Sequence, residues 1–335
     1  MVQLSVLDLA NIGEGLTPAD ALANALDLAQ HAEAAGYTRY WLAEHHNLSG
    51  IASAATAVCI GHVAGGTSTI RVGSGGIMLP NHSPMVIAEQ FGTLATLFPG
   101  RIDIGLGRAP GTDQRTWQAL RRGPESSERF PQDVVELRAL LGPPQENQWL
   151  HAIPGEDTNV PLYILGSSLF GAQLAAMLGL PYAFASHFAP QALLQAVEIY
   201  RERFEPSDQL AEPYVMVGCN AIVADTEEEA KRLFTSPQQN STRMLRGTRG
   251  KLPKPIDDID EFWSPEEKAQ ASSMLACSFY GSSDTIAKKL APLIEQTGAD
   301  ELIVAAAIWD HDARVRSFEL LADAMTQPRR MQQAG

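Results

Sequence analysis

The sequence predicts a (β/α)8 barrel, on three observations. Short apolar runs bounded by turn residues recur along the whole chain, and segments of helical period separate them. The strand–helix repeats number about eight, which is what closing a parallel barrel requires. The 335 residues suffice for one such barrel with insertions, so residues 1–335 read as one domain. An open doubly wound sheet is the alternative, and the count of strands favours the barrel.

Taken in order, Gln3 to Leu9 reads as the first strand. Thr17-Pro18 then caps and opens a helix that runs through an Ala/Leu-rich stretch to Gly36. Tyr37 to Leu42 is the second strand, ending at Ala43-Glu44-His45-His46-Asn47, and a helix of small residues covers Ser53 to Val63. Ile70 to Met78 is the third, followed by Leu79-Pro80-Asn81-His82-Ser83-Pro84 and a helix to Leu97. The fourth runs from Ile102 toward Gly107 behind the Pro99-Gly100 turn.

Ala109 to about Gly123 reads as a long polar loop in which Pro110-Gly111 forces a turn, and a helix through Val134-Val135 ends at Leu141. Pro143-Pro144 to Thr158 is an irregular excursion. Pro161 to Gly166 is the fifth strand, met by Ser167-Ser168 and a helix from Leu169 to Leu178. Pro181 to Ser186 is the sixth, ending at His187, with a helix from Pro190 to Phe204. Tyr214 to Val223 is the seventh, and Thr226 caps another helix. From Ser236 to about Ser264 the periodicity fails, with Arg243, Arg246, Arg249 and Lys251 among glycines and prolines. This stretch reads as a mobile insertion, a lid between strands seven and eight. Helix returns near Pro265; Asp284 to Gln296 is helical, Asp300 to Ile308 is the eighth strand, and Asp312 to Met325 is the last helix.

Composition narrows the function class. Lysine and arginine total 25 against 39 acids, a net charge of −14, which argues against a nucleic acid or an anionic membrane as partner. The 3 cysteines lie far apart, so neither a disulfide framework nor a zinc site is indicated. With no leader pattern and no apolar run of spanning length, a cytoplasmic protein is expected.

The chemistry concentrates at strand ends, where a barrel gathers its active site. Gly105 and Gly107 let a ligand approach the backbone of strand four, and Arg108 supplies a planar fork suited to phosphate. A dinucleotide turn fails on spacing, since the third glycine, Gly111, comes one residue late and Pro110 stands where a helix should open. A structural glycine pair with a surface arginine accounts for this stretch equally well. Of the 8 histidines, His45, His46, His82, His187 and His311 fall at or just past strand ends, where they could share one pocket. Adjacent histidines in extended chain point oppositely, so His45 and His46 do not suit one metal ion, and no metal is expected. For His46 a hydrogen-bonded core role competes; for His45 the functional one is favoured. Ser167 and Ser168 stand at a helix start that favours an anion, with ordinary N-capping the rival reading. Ser74-Gly75-Gly76 carries little side-chain bulk and would leave room for a flat ring.

Several stretches together resemble the bacterial luciferase-like flavin monooxygenases. They are Trp41-Leu-Ala-Glu-His-His46, Val72-Gly-Ser-Gly-Gly-Ile-Met-Leu-Pro80, Ala88-Glu-Gln90, Gly100-Arg101 and Gly105-Leu-Gly-Arg108. The similarity is strongest over residues 37 to 113 and extends to the Tyr280-Gly281 turn and strand eight. Pro80-Asn-His-Ser-Pro84 and Gly107-Arg-Ala-Pro-Gly-Thr-Asp113 look closer to non-luminous members. The resemblance implies a barrel that binds reduced FMN from a separate reductase. The flavin would form a hydroperoxide with O2 that oxidises a small organic substrate. It further implies a homo-oligomer, a dimer.

Position by position, His45 matches the catalytic histidine, Arg108 the phosphate-binding arginine, and Ser168, beside Ser167, a phosphate-contacting serine. Gly75-Gly76 matches the pair joined by a cis bond under the flavin ring, and His187 falls with the cofactor-binding set. Luciferase has a reactive cysteine at Gly107 and an acid at Ser167, so neither light emission nor an aldehyde substrate is implied. Two other readings share the barrel: a deazaflavin-dependent dehydrogenase and a flavin-binding protein without turnover. The cluster of titrating histidines argues against mere storage.

Overall fold

A computed structural model describes residues 2–109 and 113–326. β1 (Gln3–Asp8) enters the barrel with its last residues buried. α1 (Pro18–Ala34) begins with a capping box: Thr17 Oγ1 accepts from the Asp20 N–H at 3.2 Å, and Asp20 accepts from the Thr17 N–H at 2.8 Å. β2 (Arg39–Leu42), α2 (Thr56–Gly65), β3 (Arg71–Met78), α3 (Pro84–Leu97) and β4 (Ile102–Gly107) follow as the pattern predicts. The polar loop after β4 holds a short helix that periodicity did not reveal, α4 (Gln114–Ala119), and α5 (Pro124–Glu128) follows. Asp113 starts α4 by accepting from the Thr116 N–H at 2.9 Å, a local cap that needs no apolar stripe. The expected Pro110-Gly111 turn lies outside the described residues.

α6 (Phe130–Leu141), β5 (Leu162–Gly166), α7 (Leu169–Leu178), β6 (Tyr182–Phe184), α8 (Leu193–Glu202) and β7 (Val215–Ala224) continue the alternation. α9 (Glu227–Leu245) then runs ten residues into the stretch expected to be an irregular lid. Pro237 sits inside α9, and Ser236, Pro237, Gln239 and Thr242 are buried, so packing offsets the missing backbone donor. Beyond α9 the chain rests on the barrel rim: the Leu252 N–H donates to Ile12 O at 2.9 Å, and the Glu14 N–H to Leu252 O at 2.8 Å. α10 (Pro265–Met274) leads to β8 (Ser278–Ser282), so Tyr280-Gly281 lies in a strand rather than a turn. α11 (Ser283–Thr297), β9 (Glu301–Ala305) and α12 (His311–Thr326) complete the chain.

All strand pairs are parallel, and the barrel closes in the order β1-β2-β3-β4-β5-β6-β7-β9-β1. β7 spends its first half on β9, Met216–Asn220 opposite Glu301–Ala305. Its second half pairs with β8, Asn220–Ala224 opposite Ser278–Ser282, which places β8 outside the ring. One apolar core lies between strands and helices; a second fills the barrel with Leu7, Trp41, Ala43, Tyr163, Ala183, Met216, Ile303 and Ala305.

The amino-terminal end of the barrel is closed by buried charge. Arg39 donates through Nε to Glu301 at 2.8 Å, and through NH1 to Asp103 at 2.9 Å and to the Tyr163 hydroxyl at 2.8 Å. Arg71 Nε donates to the other Asp103 oxygen at 2.9 Å, and Ser5 donates to Glu301. This network seals the floor and leaves the carboxyl ends of the strands as the open mouth. No described helix is long and apolar enough to cross a membrane.

Candidate active site

The mouth is shaped first by an irregularity in β3. The Gly75–Gly76 peptide is cis, and the β3–β4 register shifts between Gly75 and Ile77. Ser74 pins the shift, its Oγ donating to Gly105 O at 2.9 Å and accepting from the Gly105 N–H at 3.0 Å. The missing side chains here make room for neighbouring strands. A Cβ on Gly75 would lie 2.5 Å from Leu7 Cδ1, one on Gly76 2.6 Å from Gly105 O, and one on Gly105 2.2 Å from Ser74 O. What this stretch can offer a flat ring is therefore backbone, not empty side-chain volume.

The cis unit is joined to the loop after β2, because the Glu44 N–H donates to Gly76 O at 3.3 Å. Glu44 is buried, and its carboxylate gathers partners. His46 Nε2 lies 2.6 Å away and His82 Nε2 2.9 Å away, while the Met78 N–H donates at 2.9 Å and Asn81 Nδ2 at 3.2 Å. Burial pushes this carboxyl up, but those partners outweigh it and hold its pKa at about 2. His46 thus takes the hydrogen-bonded role. Sequence reasoning weighed His46 with His45 as a metal pair; the structure instead groups it with Glu44 and His82, their ligand atoms all within 4.8 Å. That trio has metal-compatible spacing, and hydrogen bonds to the carboxylate account for its geometry as it stands.

His45 is left to the mouth. It is half-buried, and its Nδ1 is enclosed without a hydrogen-bond partner. Burial lowers its pKa; Glu44 opposes this, while Arg249 and His46 add to it. His187 comes from the chain just after β6, with an enclosed Nδ1 that likewise lacks a partner. Burial drives its pKa down to about 4, and the charge of His45 pushes the same way, so the two imidazoles share one region. His187 packs on β7, where a Cβ on Gly218 would lie 2.4 Å from its Nδ1. Two imidazoles with lowered pKa values, each with an enclosed Nδ1 that lacks a partner, thus lie near one another at the carboxyl ends of β2 and β6.

His311 does not join them. Its Nε2 lies 2.7 Å from Asp27 on α1, so it ties α12 to α1 outside the barrel. Proximity to the end of the last strand had suggested the mouth, but the first turn of α12 aims it at a neighbouring helix.

Arg108 and the start of α7 form the third part. Ser167 and Ser168 are exposed, and Ser168, the N-cap, makes no side-chain capping bond. The guanidinium carbon of Arg108 stands 4.1 Å from the Phe170 ring centroid, in the first turn of α7. The start of α7 thus presents a cation beside a helix end with no side-chain cap and, among the described residues, two serine hydroxyls without a hydrogen-bond partner, features that suit an anion.

The sequence profile of the luciferase-like monooxygenases matches residues 2–301. The chain belongs to that family. It is 52% identical over 323 residues to a luciferase-like monooxygenase of Escherichia coli (strain K12), covering 96% of each chain. It is 31% identical to the N-acetyl-S-alkylcysteine monooxygenase of Bacillus subtilis (strain 168), over 98% of this chain and 100% of that one. The crystal structure of apo-MsnO8 superposes with a TM-score of 0.91 at 36% identity, covering 97% of this chain and 98% of that one. In a parallel barrel the carboxyl ends of the strands are where an active site is built.

Proposed function

We propose that the protein is a flavin-dependent monooxygenase that uses reduced FMN and O2 to oxidise a small organic substrate. The observation that carries this is Arg108 over Phe170 at the start of α7, which lacks a side-chain cap, at the same barrel end as two histidines whose enclosed Nδ1 atoms have no partner. A bound flavin would supply the electrons that activate O2. A deazaflavin passes hydride and does not activate oxygen, so the family's monooxygenase chemistry favours FMN.

Each residue has a definite task. Arg108, Ser167, Ser168 and the α7 N–H groups hold the phosphate. The backbone of Gly75 and Gly76 flanks the ring, and His187 borders it from the β6 side. His45, whose pKa burial lowers, is the imidazole placed to accept a proton and later return it. The rim segment after α9 limits water entry. Gly105 and Gly107 lie inside β4 rather than in a turn that opens a helix. A separate reductase would deliver the reduced flavin. Val58 on α2 and Val86 on α3, 73% and 43% exposed, offer the apolar surface through which a homodimer would form.

Titration with oxidised FMN, reduced FMN and a reduced deazaflavin, followed by absorbance, tests the reading. Reduced FMN should bind and then consume O2 faster than free flavin does. Binding of the deazaflavin alone, or of no flavin, overturns it.

A further inference from the structure

Every residue of β7 is buried except Asn220, which is also its one polar side chain. Asparagine is disfavoured inside strands, and a residue that breaks the local rule is expected where something else needs it. Strand alternation gives its direction. Met216 fills the barrel, Gly218 meets the ring of His187, and Asn220 follows two residues later on the same face, nearer the mouth. Its neighbour on β9, Ala305, likewise belongs to the barrel interior. Asn220 is also the residue at which β7 exchanges β9 for β8, since it pairs with Ala305 on one side and with Ser278 on the other.

The carboxamide forms a clasp. Asn220 Nδ2 donates to His187 O at 2.9 Å and to Ser278 Oγ at 2.9 Å. A carbonyl can only accept, so the amide nitrogen must face His187 and the orientation of the amide is fixed. A second tie joins the same turn to β7, because Ser186 Oγ donates to Gly218 O at 2.5 Å. The ring of His187 then occupies the space that Gly218 leaves, where a Cβ would come 2.4 Å from Nδ1. That Nδ1 has no hydrogen-bond partner of its own. The place of the ring is therefore decided by its backbone and by the gap at Gly218. Through Ser278, β8 braces the clasp from outside the ring of strands.

We propose that Asn220 is a positioning residue, which clasps the main chain of His187 and so sets that imidazole against the bound flavin. This rests on the monooxygenase reading of the mouth. Asn220 acts through His187 and takes no part in the chemistry itself. The titratable group that acts on His187 is His45, and burial acts with it. A ring that leaves its place loses both influences, and its pKa returns toward the ordinary histidine value.

The test follows the imidazole C2 proton of His187 by NMR against pH, the signal being assigned by its loss in His187→Gln. Melting temperature and FMN affinity are measured beside it. Wild type is compared with Asn220→Leu, which keeps the volume but cannot donate, and with Asn220→Gln, which keeps the donor. Gly218→Ala, which forces the ring from its gap, shows what a displaced His187 looks like. Wild-type His187 should titrate at about 4. In Asn220→Leu it should titrate at least about one pH unit higher, as in Gly218→Ala, and FMN should bind several-fold more weakly. Asn220→Gln should restore part of both. If Asn220→Leu does not fold, Asn220→Ala takes its place under the same expectations. The inference is overturned if a folded Asn220 variant without the donor leaves His187 titrating as in wild type, or if Asn220→Gln restores nothing. A His187 shift in a protein that binds no FMN supports the clasp and removes the flavin reading. Unchanged His187 in a protein that binds FMN removes the clasp alone.

Discussion

Arg108 reaches from the end of β4 to lie over Phe170 in the first turn of α7, 4.1 Å from guanidinium carbon to ring centroid. The contact places the cation beside the start of α7, whose N-cap, Ser168, makes no side-chain capping bond. Arg108→Ala should weaken FMN binding by roughly 1.5–3 kcal/mol, the range of a charge-assisted hydrogen bond. Riboflavin, which lacks the phosphate, should bind almost unchanged. Paired titrations of the two ligands decide it: equal losses would take Arg108 out of the phosphate site.

The rim segment gives the second expectation. It is held by Leu252 on Ile12 and Glu14, by Gly250 on Gly50, by Lys251 on Leu16 O and by the Arg243–Glu14 and Arg246–Glu267 pairs, with little apolar burial among these contacts. Closure over a bound flavin would add contacts and slow opening. Trypsin cleavage at Arg246, Arg249 and Lys251 should therefore slow several-fold in saturating FMN. Cleavage indifferent to FMN would leave the segment a fixed part of the rim.

Much of this architecture was legible in the sequence because it is local. Thr17-Pro18 announced α1, and the helix from Leu169 to Leu178 was read residue for residue, since caps and short apolar runs are written in neighbouring residues. What escaped was non-local. β8 has a half-buried Ser-Phe-Tyr-Gly-Ser pattern with no alternation, and it is a strand because the far half of β7 is there to pair with it. Pro237 broke the helical signal of α9, although buried packing carries the helix through it.

The site divides in the same way. His45, His187 and Arg108 were visible as strand-end residues. The grouping of Glu44 with His46 and His82 depends on β2 and β3 being adjacent, and the approach of the rim segment to the loop after β2 depends on Gly250 meeting Gly50. The adjacent glycines of β3 suggested a ligand floor, but they also serve strand packing, which no spacing rule distinguishes.

Arg39 gives a stability prediction at the opposite end. It is 6% exposed and bridges Asp103 and Glu301, which are fully buried. Arg39→Met leaves both carboxylates without that partner and should cost roughly 3–5 kcal/mol in denaturant unfolding. Arg246→Ala, which breaks an exposed pair, should cost below about 1 kcal/mol. Comparable losses for the two would mean that the barrel floor is not sealed by this charge.

His187 sets an acid limit. Its pKa falls from 6.5 to about 4 in the folded protein, so below 6.5 the unfolded chain takes up a proton that the folded one refuses. Its contribution is intact at neutral pH and is lost as pH falls from 6.5 toward about 4. The loss is on the order of 3 kcal/mol over that window. His187→Gln should flatten this part of the stability profile relative to wild type. Denaturant midpoints at intervals of pH measure it, and parallel profiles would show that His187 titrates normally.

The last prediction separates chemistry from packing at His45. A histidine that builds the fold is tied to a neighbouring element, as His311 is to Asp27, and its loss lowers the melting temperature. His45 instead keeps an enclosed Nδ1 with no partner, while the neighbouring His46 is the one tied to Glu44. Burial lowers its pKa, which favours the neutral form that can take a proton. His45→Ala should therefore melt within a few degrees of wild type and bind FMN with similar affinity. Loss of general acid–base help should lower turnover by at least ~100-fold. The rate of the wild type should also fall as pH drops and His45 protonates, on a limb set below the ordinary histidine range, and this limb should vanish in the variant. His46→Ala gives the contrast, because it removes a partner of the buried Glu44 carboxylate and should act mainly on stability. A well-folded His45→Ala protein that turns over at the normal rate would remove His45 from the chemistry and leave the proton transfer to His187.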